Sequence, residues 1–214
     1  VYVGFDGDMR TTTPLRRALI TVTATAAVVL TATGSAVAVP SPGTATAPHA
    51  AALSLSPLHP VVELAAERLA TADLVAAAKW GTDSPIDDPA REQQVLDNVA
   101  AQAQQLGADP DEIRTIFRDQ IEANKVVQRG LFQRWTDHPD EAPTTKPDLT
   151  VVRQQINQIT SALVQALADS SDNRGTFACR PELALATFQV HYENHLDALH
   201  ARALHRALPS ICRD

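Results

Sequence analysis

The sequence predicts an all-α fold, a single-domain helical bundle of about five or six helices, on three observations. Aromatic residues make up only 4% of the chain while hydrophobic residues, rich in Ala and Leu, reach 44%, a balance that suits closely packed helices better than a sheet. Apolar residues recur at helical spacing through several long stretches. The pairs Asp88-Pro89 and Asp109-Pro110 offer an N-cap followed by a proline at N1, with Gly107 as a stop between them.

Residues 1–8 precede Met9 and carry no structural pattern, as a mis-assigned start would. From Met9 the order is that of a signal peptide: Arg10, Arg16 and Arg17, an apolar run from Ala18 to Thr33, then the small-residue exit Ala36-Val37-Ala38. Thr and Gly dilute the run, which favours cleavage over an uncleaved anchor. Residues 1–38 are therefore read as a signal peptide for a secreted or periplasmic protein, with no membrane partner after cleavage. Residues 39–60 form a Pro/Ala/Thr-rich flexible leader, and residues 61–214 the folded domain.

Helix one runs from Val61 to about Trp80, with one face reading Val61, Ala65, Arg68, Ala72, Val75, Lys79. Helix two starts at Pro89 behind the Asp88 cap, and Arg91 heads its stripe Val95, Val99, Gln102, Leu106. The third, from Pro110 towards Trp135, places Ile113, Phe117, Gln120, Asn124, Val127 and Leu131 on its inner face, with Gln128 alongside. A Pro-rich connection leads to a fourth helix, from about Asp148 to Leu167, whose face again holds one arginine, Arg153. After the loop DSSDNRGTF, Pro181 opens a last helix to about Leu208, with Phe188, Tyr192, Leu199 and Ala203 as its core stripe.

Cys179 and Cys212 are the only cysteines, and in an exported chain a disulfide is their expected state. A straight helix between them would hold its ends about 40 Å apart at 1.5 Å per residue. Either the helix breaks near Asn194 to His200 and folds back, or the bond joins two molecules.

Arg68 and Lys79 are eleven residues apart and point the same way. Both lie on a stripe that should face the core, where a cation is costly unless an anion meets it. Arg91 and Arg153 repeat the pattern. Each alone could snorkel or pair locally; together they describe a pocket for a small polyanion. The overall field does not draw that anion, because the net charge is −7. Without residues 1–38, 15 basic residues face 23 acidic ones, a net −8, which also argues against nucleic acid as a partner. His191, His195, His200 and His205 lack the acidic or cysteine companions of a metal motif, so no metal is assigned. No P-loop, GxGxxG or GxSxG occurs.

The segments ERL (Glu67 to Leu69), AAAKW (Ala76 to Trp80) and IDDPARE (Ile86 to Glu92), in this order and spacing, resemble the all-helical chorismate mutases. The likeness runs from about Val61 to Cys212, and the ending resembles the secreted subclass. It implies an isomerase that converts chorismate to prephenate without a cofactor, and an intrachain bond between Cys179 and Cys212. It implies Lys79, Gln128 and Arg91 as catalytic residues. For substrate binding it implies Arg68, Lys79, Asp88, Arg91, Glu92, Asn124, Gln128 and Arg153. Asn124 stands where the family usually has Ser or Thr, and Gln128 where secreted members often have Glu. Arg153 resembles the arginine with which a secreted-type chain completes its own site. The implied partners are chorismate and a second copy of the chain in a homodimer. The runner-up on the same fold is a lyase that removes pyruvate from isochorismate, and the non-enzymatic one is an exported helical binding module.

Overall fold

The computed structural model describes residues 55–213. The signal peptide read over 1–38, and the leader as far as residue 54, lie outside the described residues. The end of that leader is packed: Leu58 is fully buried, and the Ser56 hydroxyl donates to the Glu182 carbonyl at 2.9 Å.

The described residues form seven α-helices and no strand: α1 (His59–Lys79), α2 (Pro89–Gln105), α3 (Pro110–Asp137), α4 (Leu149–Asp169), α5 (Ser171–Arg174), α6 (Cys179–Glu193) and α7 (Ala198–Ala207). The central rod is α1, which packs against α3, α4, α6 and α7. Its small side chains explain that position. Val61, Ala65, Ala72 and Ala76 are all fully buried and let neighbouring helices come close. At its far end Trp80 meets Phe132 and Trp135 edge-on, with ring centroids 5.1 and 5.4 Å away. Such pairs contribute about 0.5–1.5 kcal/mol each beyond burial, and they fasten the end of α1 to the end of α3.

The helix starts follow the sequence signals. Asp88 Oδ1 accepts from the Arg91 amide at 3.0 Å, and Asp109 Oδ1 from the Asp111 amide at 2.8 Å. Gly107, at φ +71°, ends α2 in the left-handed region where a Cβ is unwelcome. Gly130 has a packing reason instead: a Cβ there would lie 2.6 Å from Leu199 Cδ1, where α3 presses on α7.

The last helix breaks where the cysteines require. Between Glu193 and Ala198 the chain turns through His195 at φ +48°, and α7 runs back. The Cα atoms of Cys179 and Cys212 come within 5.8 Å, and the two are bonded within the chain. The core stripe read on this helix is corrected in part. Phe188 and Tyr192 are exposed, at 59% and 61%, whereas Ala186, Thr187 and Val190 are buried. The reason is the buried Cys179, which fixes the helix rotation: Ala186 and Val190 follow it at i+7 and i+11, the positions that share its face. Ala203 is buried as read, and Leu199 packs against the core from its edge.

The segment read as a loop contains α5, which ends in a fully buried arginine. Arg174 Nη1 pairs with Glu112 and donates to the Ile211 carbonyl, while Nε donates to the Leu167 carbonyl at 3.2 Å. Arg213 also bonds Glu112, at 3.0 Å. These bonds clasp the C-terminal segment to the start of α3.

Candidate active site

A cavity of about 210 Å³ opens between α1, α2, α3 and α4, closed on one side by the connection between α1 and α2. Its walls bring together all eight of the residues named from sequence as binding or catalytic. Arg68 and Lys79 come from α1, Asp88, Arg91 and Glu92 from the start of α2, Asn124 and Gln128 from α3, and Arg153 from α4. Helical spacing explains the first pair, three turns apart on one face, and the Asp88 cap fixes where α2 begins and so where Arg91 points.

Arg68 is 5% exposed and has no carboxylate partner among the described residues. Its Nε donates to Thr160 Oγ1 and its Nη1 to the Gln120 carbonyl, both at 3.3 Å, and its guanidinium carbon lies 5.6 Å from the centre of the Phe117 ring. Burial lowers its pKa to about 10. Among the described residues, no carboxylate pairs with Arg91 or Arg153 either; Arg91 reaches only Gln94 Oε1, at 3.1 Å. Three guanidiniums facing one cavity with no anion of their own make a site for a ligand with more than one negative group.

Lys79 Nζ donates to the Pro85 carbonyl at 2.8 Å, which leaves two of its hydrogens for the cavity. Burial lowers its pKa; Asp88 opposes that and Arg153 reinforces it. Gln128 donates from Nε2 to Asn124 Oδ1 at 2.7 Å, and its own Oε1 is buried without a partner among the described residues. An orphaned buried acceptor in a cavity wall is a place where a ligand donor could be received.

Two features extend the sequence reading. Gln120, one of three amides on the inner stripe of α3, turns away from the others and donates to the Ala207 carbonyl at 3.0 Å, so its role is to join α3 to α7. Lys125, unremarked in the sequence, lines the cavity at 8% exposure and reaches three carboxylates: Glu92 and Glu122 at 2.8 Å and Asp87 at 3.3 Å. Burial acts to lower its pKa, but the hydrogen bonds it donates to Glu122, Glu92 and Asp87 win, and the net shift is upward. A lysine at i+1 from Asn124 looks like a solvated residue until α2 and the connection before it bring Glu92 and Asp87 to it. The signal that could have found it is the acidic cluster at Asp87, Asp88 and Glu92.

Comparison with known proteins gives consistent results. Residues 60–129 match the family described as chorismate mutase type II. The secreted chorismate mutase of Mycolicibacterium smegmatis is 39% identical over 166 residues, which are 78% of this chain and 92% of that protein. The secreted chorismate mutase of Mycobacterium tuberculosis is 34% identical over 78% of this chain and 83% of its own length. The crystal structure of a chorismate mutase from Burkholderia phymatum superposes with a TM-score of 0.70 at 37% identity, covering 74% of this chain and 98% of that one.

Proposed function

Because the chain belongs to the type II chorismate mutase family, we propose that the cavity between α1 and α4 is where chorismate is converted to prephenate. Chorismate is a dianion with two carboxylates, a hydroxyl and an enolpyruvyl ether. Its rearrangement is pericyclic: the ether C–O bond breaks as a C–C bond forms, with negative charge gathering on the ether oxygen. A protein accelerates it by holding the compact reactive conformer and by aiming fixed donors at that oxygen.

In this reading Arg68, Arg91 and Arg153 receive the two carboxylates, assisted by Asn124. Lys79 meets the ether oxygen with the hydrogens it does not spend on Pro85. Gln128 joins it through its second amide hydrogen, the first being given to Asn124. Glu92 and the Asp88 cap take the substrate hydroxyl. The observation that carries the assignment is Arg68, a buried cation that meets no carboxylate among the described residues. The purified chain should consume chorismate, followed by its absorbance, and yield prephenate. Salicylate and pyruvate from isochorismate would instead mark the lyase. Lys79→Ala should lose about 3–4 kcal/mol of transition-state stabilisation, and full activity in that variant would end the assignment.

Gln128 offers a pH test. An amide does not titrate and donates at any ordinary pH, whereas a glutamate donates only when protonated. Gln128→Glu should therefore keep activity at acidic pH and lose it as pH rises, while the native profile holds until Lys79 loses its proton, below the ordinary lysine value. Two profiles of kcat/KM with one shape would remove Gln128 from the ether oxygen.

We also read the protein as exported through residues 1–38, supported by the two relatives named as secreted; N-terminal sequencing of the released protein should begin at Val39. A homodimer is the expected assembly, to be measured by sedimentation. The exposed row Leu185, Phe188 and Tyr192 on α6 is a face on which a second copy could rest.

A further inference from the structure

Glu92 poses an electrostatic problem that the structure answers. It is an acidic side chain in the wall of a cavity whose other charged groups are mainly cations. Left to itself, a carboxylate there would swing to Arg91, Lys79 or Arg153 and neutralise a charge that a dianion needs. Lys125 prevents this from the other side. Its Nζ lies 2.8 Å from Glu92 Oε1, and the same oxygen accepts from the Asp88 amide at 3.3 Å. Both donors meet Oε1, so Oε2 is the oxygen left to accept from a ligand. Lys125 is itself held in place by Glu122 on its own helix and by Asp87, which Arg129 Nη2 grips at 2.7 and 2.8 Å.

We propose that Lys125 is a positioning residue for the rearrangement: it draws the Glu92 carboxylate towards α3, away from the substrate-facing cations, and presents its free oxygen to the substrate hydroxyl. The inference rests on the chorismate reading above. Lys125 is not the group that touches the substrate; Glu92 is. The arrangement keeps the Glu92 carboxylate apart from four cations that serve the substrate differently, within a single small cavity.

The test is a double-mutant cycle on chorismate turnover with Lys125→Met, Glu92→Gln and the pair together. Lys125→Met should lower kcat/KM by about 10- to 100-fold, the range of a lost hydrogen bond to a charged group, with most of the loss in KM because the hydroxyl is held in ground and transition states alike. Lys125→Arg, which keeps the charge and the donors, should restore most of it. In the Glu92→Gln background the further loss from Lys125→Met should fall to about twofold or less. Thermal melts of each variant separate folding from turnover. If Lys125→Met does not fold, Lys125→Gln should show the same dependence on Glu92 at smaller size. An equal loss in both backgrounds would overturn the proposal by making Lys125 an independent cation, and so would native kcat/KM in Lys125→Met. Failure of the native chain to turn over chorismate would be a different result, against the proposed function itself.

Discussion

Two arginines are buried among the described residues, and they are met in opposite ways. Arg174 is fully enclosed between α4, α3 and the C-terminal segment, where Glu112 and two main-chain carbonyls receive it. Arg68 is enclosed almost as well, yet it finds only a hydroxyl, one carbonyl and the face of a ring. Burial lowers the pKa of both, but only at Arg174 does a carboxylate push back. The difference separates a cation that completes the fold from a cation that the fold leaves for something else. A buried ion pair is weak evidence for stability, while a buried cation with no pair in a cavity wall marks a candidate ligand site.

The largest effect should come from breaking the paired case. Arg174→Met should destabilise the protein by about 3–5 kcal/mol, at the low end because Glu112 keeps Arg213, with kcat per folded molecule unchanged. Urea denaturation and active-site titration measure the two separately. Next is the unpaired case, where Arg68→Met should remove about 3–4 kcal/mol from transition-state binding. Its stability should hold or rise, since an uncompensated buried charge has been removed. If both variants lose stability and activity together, the contrast between the two arginines is empty. Reduction of Cys179–Cys212 should cost about 2–4 kcal/mol of stability and leave turnover intact, because neither cysteine belongs to the cavity.

The smallest effect sharpens the comparison with a titratable cation. His200 bridges α7 to α1, its Nε2 3.1 Å from Asp73 and its Nδ1 2.9 Å from Asp197. Asp73 raises its pKa most, burial lowers it, Asp197 adds to the rise, and the result is about 9. Because the folded value lies above the unfolded one, this contribution is complete below about pH 6.5 and is lost as pH climbs through about 9. Screening limits it to about 1 kcal/mol. Subtracting the stability profile of His200→Gln from that of the native protein should isolate a fall over that window, and a flat difference would discount the bridge.

What was legible in the sequence follows from which signals are local. Arg68, Lys79, Arg91 and Arg153 each interrupt an apolar stripe of their own helix, so the helical period alone exposes them and, once the helices pack, aims them inward. The caps at Asp88 and Asp109 are local too, and they set the helix registers on which the cavity depends. Lys125 was hidden because two of its three anions, Glu92 and Asp87, arrive from outside its helix. Arg174 was hidden because it sits in DSSDNRGTF, a polar stretch with no period to interrupt, and its partners come from α3 and the chain end. The face of α6 was misread for a related reason. Phe188 and Tyr192 are the most hydrophobic-looking candidates, but the covalent bond at Cys179 selects the face of Ala186 and Val190 instead.

The disulfide also makes α6 and α7 a closed ring of chain. The bond joins residues 33 apart in sequence, and that ring includes the exposed turn Asn194, His195 and Asp197, with a residue at positive φ. A turn of this kind is where a protease would first cut. A single cut there would open the ring but release nothing, since both new pieces remain tied at Cys179 and Cys212 while α1 and α3 still hold each helix. The nicked protein should run as one band without reductant and as two with it. Damage at this exposed turn would thus leave the molecule whole, and the cavity, which neither α6 nor α7 lines, untouched.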